Sequence, residues 1–472
     1  MPLAFVLGVV PAVLAALCYA ILASAMPRAG GGYIYASRGL HPFLGFMATF
    51  SKWLGLSAAI GVLAYMDVAL LASGIGYLEP YVNVRATIAF LISDSGKLTT
   101  GFAMIWLFWL VNLLGVRTYG WIVIALMIFE LAGGLVVIGA GLLYHPGDFG
   151  PAFATHPGAI MAETLAKAAL TGRTLNEIAD TASFPAGGLL RILMATAWIF
   201  FAYIGFCTIS QAGGEARNPR RLLPRAFLLA TLIICSYYLL FSWSVYRLIP
   251  WRFVAGFVAA APSDVSVPLL IGVLLPPALA SFVALMAALS LANDLPPMLM
   301  SSSRLFFAWA NDGVFPRPLA AVNPRFRTPH WVLTASALVA TAFLLACYRW
   351  ESYFAGVDTV IIAFTFTYLV VSASVLTLPR RNPHIAGRVA FMRSRLAQIL
   401  VAWAAIAVLL PLLVLEIALL GRSSTVFWLG AMCVGAVIFL IMWLRALRSG
   451  QDLGEVFSSL PTIAEEEESE EF

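Results

Sequence analysis

The chain has 472 residues, of which 61% are hydrophobic and only 11% charged, and its mean hydropathy is +0.92. Soluble domains carry about 25% charged residues, so these values exclude an aqueous globular fold and imply a polytopic membrane protein whose solvent is the bilayer. The net charge of +5 is read as arginine-rich loops at an anionic membrane surface, and not as a nucleic-acid footprint.

A helix needs about 20 apolar residues to cross the hydrocarbon. On that basis eleven spans are expected, at 3–25, 43–71, 101–116, 119–143, 189–212, 226–249, 277–308, 331–347, 354–378, 396–420 and 424–444. Lys52, ten residues into the second span, is expected to snorkel toward an interface. Asp67 and Glu416 lie toward span ends, where interfacial solvation is expected. Glu130 is the twelfth residue of the fourth span, about 18 Å along its axis and close to the midplane. The fifth span contains the run FFAYIGFCT at 200–208, with a glycine and four large aromatics where Leu, Ile and Ala would serve a purely structural helix. The seventh span carries Pro296-Pro297 at its centre, which predicts a kink, and Asp294 stands two residues before it. Arg304, near that span's end, reads as an interface anchor.

The loops set the orientation. Of the 28 Lys and Arg, eighteen fall on the side holding 27–42, 117, 213–225, 304–330, 380–395 and the C-terminus. Nine fall on the other side, and Lys52 lies within a span. The positive-inside rule then puts the 213–225 loop and the C-terminus in the cytoplasm of a cell-membrane protein. Residues 1–449 read as the transmembrane domain. Residues 450–472, which end in EEEESEEF, read as a disordered acidic tail. The five cysteines all sit in apolar runs without a C-x-x-C, and the five histidines all fall in loops. Neither a disulfide framework, nor a metal site, nor a cofactor is implied.

Four pieces occur in a telling order: AMPRAGGGYIYASRGLHPFLGF (25–46), VNLLGVRTYG (111–120), FFAYIGF with GGEARNPRRLLPRA (200–206 and 213–226), and SSSRLFFAWANDGVFPRPLAAVNPRFRTP (301–329). Together they resemble the amino acid–polyamine–organocation (APC) superfamily of permeases. The resemblance implies an all-α fold of the LeuT type, a five-plus-five inverted repeat with two further helices. The eleven spans match helices two to twelve of that plan, so the family's first helix, whose unwound segment holds the substrate carboxylate, has no counterpart in this reading.

In inverted-repeat transporters the substrate sits near the midplane against helices that break there, and such backbone is tolerated only where it lines a cavity. Two readings of Gly205 stand: a permissive point for a break, or a notch for a neighbouring helix. The resemblance favours the break. It implies that the carbonyls of Phe201, Ala202, Tyr203, Ile204, Gly205 and Phe206 face the substrate's ammonium group, with Phe200, Phe201, Tyr203 and Phe206 as walls. Two positions depart from the family pattern. Cys207 stands where many members have an acidic residue, and Glu130 stands where a lysine is frequent.

An ionisable group in the hydrocarbon costs about 2.5 kcal/mol or more, so Glu130 and Asp294 need a reason. The family geometry brings their helices together, and two carboxylates in one low-dielectric site share a proton or hold a cation. The alternative for each is a hydrogen bond between helices. Glu215, among the loop arginines, matches an acidic family position and is expected to form ion pairs. The expected function is a secondary active transporter of amino acids or related amines, with proton coupling as the finer expectation. The alternative is a non-transporting sensor or degenerate paralogue. H-E-x-x-H, a P-loop and G-x-S-x-G are all absent from the sequence, so an enzyme is not expected. The expected partners are a small amine-bearing substrate and membrane lipid, not nucleic acid.

Overall fold

A computed structural model describes residues 2–79, 81–155, 188–214, 216, 218–251, 253–254, 266–350, 353–419, 421–448 and 453–460. The described part is all-helical, and eleven of its helices are long and apolar enough to cross a membrane. In chain order the elements begin with α1 (Pro2–Ala25), α2 (Gly32–Gly39), α3 (Pro42–Gly76), α4 (Arg85–Ile92), α5 (Asp94–Leu113) and α6 (Val116–Leu143). They continue with α7 (Phe149–Thr155), α8 (Gly188–Phe200), α9 (Pro219–Leu248), α10 (Val267–Gly272), α11 (Pro277–Asn311) and α12 (His330–Trp350). The last five are α13 (Tyr353–Arg381), α14 (Pro383–Ala386), α15 (Arg395–Leu419), α16 (Arg422–Arg448) and α17 (Leu453–Ser458).

Where helix ends differ from the hydropathy expectation, capping chemistry explains it. The span expected at 101–116 starts at Asp94, because the Ser93 hydroxyl accepts from the Gly96 N–H at 3.1 Å and caps two polar turns. Asp94 in the first turn also complements the helix dipole. It stops at Leu113, and Gly115 with φ +101° separates it from α6. The α9 helix opens at Pro219, after Asn218 in the left-handed region (φ 49°, ψ 51°). The α11 helix runs through Pro296-Pro297 as one 35-residue element, and the Pro296 carbonyl accepts from the Asn112 amide at 3.2 Å.

The α3 helix occupies the middle of the molecule, packed against α5, α11, α12, α13 and α16. The α1 helix packs against α8, α9, α13 and α15. Large apolar side chains such as Trp121, Leu135, Leu232, Leu400 and Val426 point outward instead. A lipid-facing surface requires this, since hydrocarbon does not penalise an exposed leucine. Glu215 lies outside the described residues.

The segment between α1 and α3, read as a loop, turns inward. All eight residues of α2 are buried. Gly30 (φ +90°) and Gly31 (φ +33°) permit the turn, and a Cβ at Gly31 would lie 2.1 Å from the Ser210 Oγ. The turn buries Arg38, whose guanidinium forks onto Asp312 at the end of α11 (Nη1–Oδ2 2.5 Å, Nη2–Oδ1 2.9 Å). Burial alone would lower the Arg38 pKa, but the Asp312 charge outweighs it and the guanidinium sits above its ordinary value. Arg38 also donates to the Ser459 and Val456 carbonyls, each at 3.2 Å. The start of the segment read as a disordered tail is therefore ordered: α17 docks on this ion pair, with Phe457 stacked on Trp443.

Four further expectations are corrected by packing. Lys52, expected to snorkel, is 0% exposed. Asp67 and Glu416, expected at interfaces, are 1% and 0% exposed, and Glu416 accepts from the Thr365 hydroxyl at 3.0 Å. Arg304, expected as an interface anchor, is buried. Each lies on a helix face turned toward neighbouring helices, which hydropathy along one chain segment does not report.

Candidate functional site

The helix expected at 189–212 does not cross the apolar layer as one element. The α8 helix ends at Phe200, Phe201–Tyr203 form a single tight 3₁₀ turn, and a second 3₁₀ segment runs over Phe206–Ala212. Between them Ile204 (φ −77°, ψ 62°) and Gly205 (φ −147°, ψ −28°) leave helical geometry. The chain is re-tied below the gap by Thr208, whose N–H and hydroxyl both donate to the Gly205 carbonyl, at 2.9 and 2.7 Å.

The chain leaves helical geometry at Gly205, as one of the two sequence-level accounts expects. The Gly205 φ is negative, so left-handed freedom is not what the position needs. It is not a packing notch either, because an added Cβ would meet nothing within 4 Å and the residue is exposed. The glycine faces open space at an interruption in an otherwise apolar span. Phe201 and Ala202 are half-buried beside it, whereas Phe200, Tyr203, Ile204 and Phe206 are packed away.

The packed aromatics build the wall behind the gap. Phe206 stacks on Tyr368 of α13 (centroids 5.0 Å apart, planes 22°) and meets Tyr19 of α1 and Phe227 of α9 edge-on. Tyr203 sets its edge against Tyr238, and its hydroxyl donates to the Phe5 carbonyl at 3.1 Å. These contacts tie the interrupted helix to α1, α9 and α13 on either side of Gly205.

Lys52 enters the same wall from α3. Its Nζ donates to the Cys207 Sγ at 3.0 Å and stands over the Phe364 ring at 5.3 Å. The Tyr368 hydroxyl donates to the same sulfur at 3.3 Å. The Tyr19 hydroxyl is fully buried and has no partner among the described residues. Sequence reading missed this cluster, because Lys52 and Cys207 lie 155 residues apart. Two signals were visible in the sequence: a lysine ten residues into a span, and a cysteine two residues after the glycine.

The two intramembrane acids come near one another on facing helices. Glu130 of α6 accepts from Ser290 (2.9 Å) and from the Asn293 amide (3.4 Å), both on α11. Asp294, the next residue of α11, is exposed, and it interacts electrostatically with Glu130. On α9, Tyr238 sets its ring edge-on to Tyr203 of the interrupted helix. Among the described residues no group of three or more His, Cys, Asp or Glu is placed to hold a metal ion.

Comparison with known proteins adds an independent line. The model of a family described as amino acid permease matches residues 1–439. Cationic amino acid transporter 4 of Mus musculus is 24% identical over 404 residues, covering 81% of this chain and 55% of that protein. Cationic amino acid transporter 2, vacuolar, of Arabidopsis thaliana is 30% identical over 196 residues, covering 42% and 29%. The aspartate-proton symporter of Bacillus subtilis is 22% identical over 388 residues, covering 80% and 66%. The chain thus spans about half the length of the mouse relative, and its match to the plant one covers under a third of that protein.

Proposed function

The chain belongs to the amino acid permease family, and from that premise we propose that it is a secondary active transporter. It moves amino acids or related amines across a membrane by alternating access. The observation that carries the reading is the interruption at Ile204–Gly205, where an apolar span gives up helical geometry and turns a glycine to open space. Irregular backbone at that depth is costly unless it lines a cavity and serves a ligand. The substrate ammonium binds along the stretch Phe201, Ala202, Tyr203, Ile204, Gly205 and Phe206, with Gly205 as the point of access.

Coupling is assigned to Glu130 and Asp294. Two carboxylates this close cannot both ionise easily, so a proton taken up there on one side of the membrane is carried through the conformational change and released on the other. The support is their approach across α6 and α11 and the Ser290 and Asn293 donors that orient Glu130. A relative named as a proton symporter is consistent with this reading. The basic loops support a cytoplasmic C-terminus in a cell-membrane protein.

The test is uptake of radiolabelled amino acids into liposomes carrying the purified chain. Saturable uptake that Gly205→Leu abolishes, while the variant retains the wild-type melting temperature, is the expected result. Substrate-dependent stabilisation without any flux would instead establish a sensor and overturn the transporter.

A further inference from the structure

The polar groups in the wall behind the break are unbalanced. Lys52 brings an ammonium with its N–H donors, and Tyr368 and Tyr19 bring phenol O–H donors, yet the only acceptor the first two share is one cysteine sulfur, a weak one. Among the described residues the Tyr19 hydroxyl has no partner, although its ring packs on Phe206 and Tyr368. Lys52, Cys207, Tyr19 and Tyr368 are each 0% exposed, so water does not make up the shortage from outside.

Charge is unbalanced in the same direction. Among the described residues no carboxylate lies within 4.0 Å of the Lys52 ammonium, and a buried cation without an anion is strongly unfavourable. The Phe364 ring face offsets part of that, as cation–π contacts do. Of the two intramembrane acids of the coupling proposal, Glu130 is engaged with Ser290 and Asn293 on α11. What the cluster lacks is an anionic oxygen acceptor.

The geometry points to a substrate side-chain carboxylate as that acceptor: this chain selects amino acids whose side chain ends in a carboxylate, with Lys52 as the specificity-determining residue. The inference rests on the transporter reading above. Cys207 is two residues from Gly205, on the first turn of the 3₁₀ segment, which sets the cluster beside the interruption. The carboxylate accepts from Lys52, Tyr368 and Tyr19, and the sulfur is released from its role as sole acceptor. A cationic side chain at the same place would face an ammonium at close range and be rejected. The substrate class named for the cationic amino acid transporters therefore does not carry over to this chain.

Competition in proteoliposomes decides the matter. Uptake of labelled L-glutamate by the wild-type chain is challenged with unlabelled L-aspartate, L-leucine and L-arginine. Aspartate is expected to compete, leucine weakly, and arginine not at all. In Lys52→Met the ratio of glutamate to leucine uptake falls about tenfold or more, the loss expected for one charge-assisted hydrogen bond, and Lys52→Arg recovers part of it. Wild-type preference for arginine over glutamate overturns the proposal without reference to any variant. An unchanged ratio in a folded Lys52→Met does the same. Uptake of leucine or arginine with no glutamate uptake sinks the acidic substrate class but leaves the transporter standing. Absence of uptake for every probe sinks both.

Discussion

At the scale of single residues, the chain concentrates its anomalies in a few buried polar groups. Lys52 and Cys207, each visible in the sequence as an unusual residue within a span, meet at 3.0 Å. Glu130 is held by two donors from α11, Ser290 and Asn293. Replacing it by glutamine keeps the shape and removes the proton. In Glu130→Gln, accumulation driven by a pH gradient is expected to vanish while substrate exchange at equal pH persists. Parallel measurement of the two modes in liposomes checks this, and undiminished accumulation would remove Glu130 from the coupling step.

At the scale of elements, the interrupted helix and the buried turn before α3 depend on one another. Gly31 approaches Ser210 of the 3₁₀ segment so closely that a Cβ would sit 2.5 Å from the serine Cβ. Its backbone is also at positive φ, where a side chain is disfavoured. Gly31→Ala is therefore expected to destabilise the protein by about 1–3 kcal/mol through overpacking, seen as a lower melting temperature in detergent. A variant as stable as wild type would show that the turn and the 3₁₀ segment can separate at little cost. The position of the interruption was legible in the sequence, because a glycine among aromatics in an apolar run is a local signal. Its environment was not, since whether Gly205 meets a neighbour or open space depends on where α1, α9 and α13 run.

For the whole molecule, Arg38, Asp312 and α17 join distant parts of the chain on one face. Arg38 comes from the turn after α1, Asp312 from the end of α11, and the Val456 and Ser459 carbonyls from near the C-terminus. Asn382, just past α13, adds an amide to the Arg38 carbonyl at 2.6 Å. Ending the chain before Leu453 removes two acceptors from a buried guanidinium, which costs about 1.5–3 kcal/mol for hydrogen bonds to a charged group. The truncated protein is expected to melt lower, and Phe457→Ala to reproduce part of the shift; equal melting temperatures would mean that α17 rests on the ion pair without supporting it. Sequence alone determined the number of spans, their approximate limits, the family motifs and the place of the break, because hydropathy, glycine and proline act over a few consecutive residues. The tertiary structure alone decided that Lys52, Asp67 and Glu416 are buried, that Cys207 is a shared acceptor, and that part of the C-terminal segment docks. Those outcomes depend on which face of each helix meets which neighbour, and lateral packing among eleven nearly uniform apolar helices leaves little trace in any one of them.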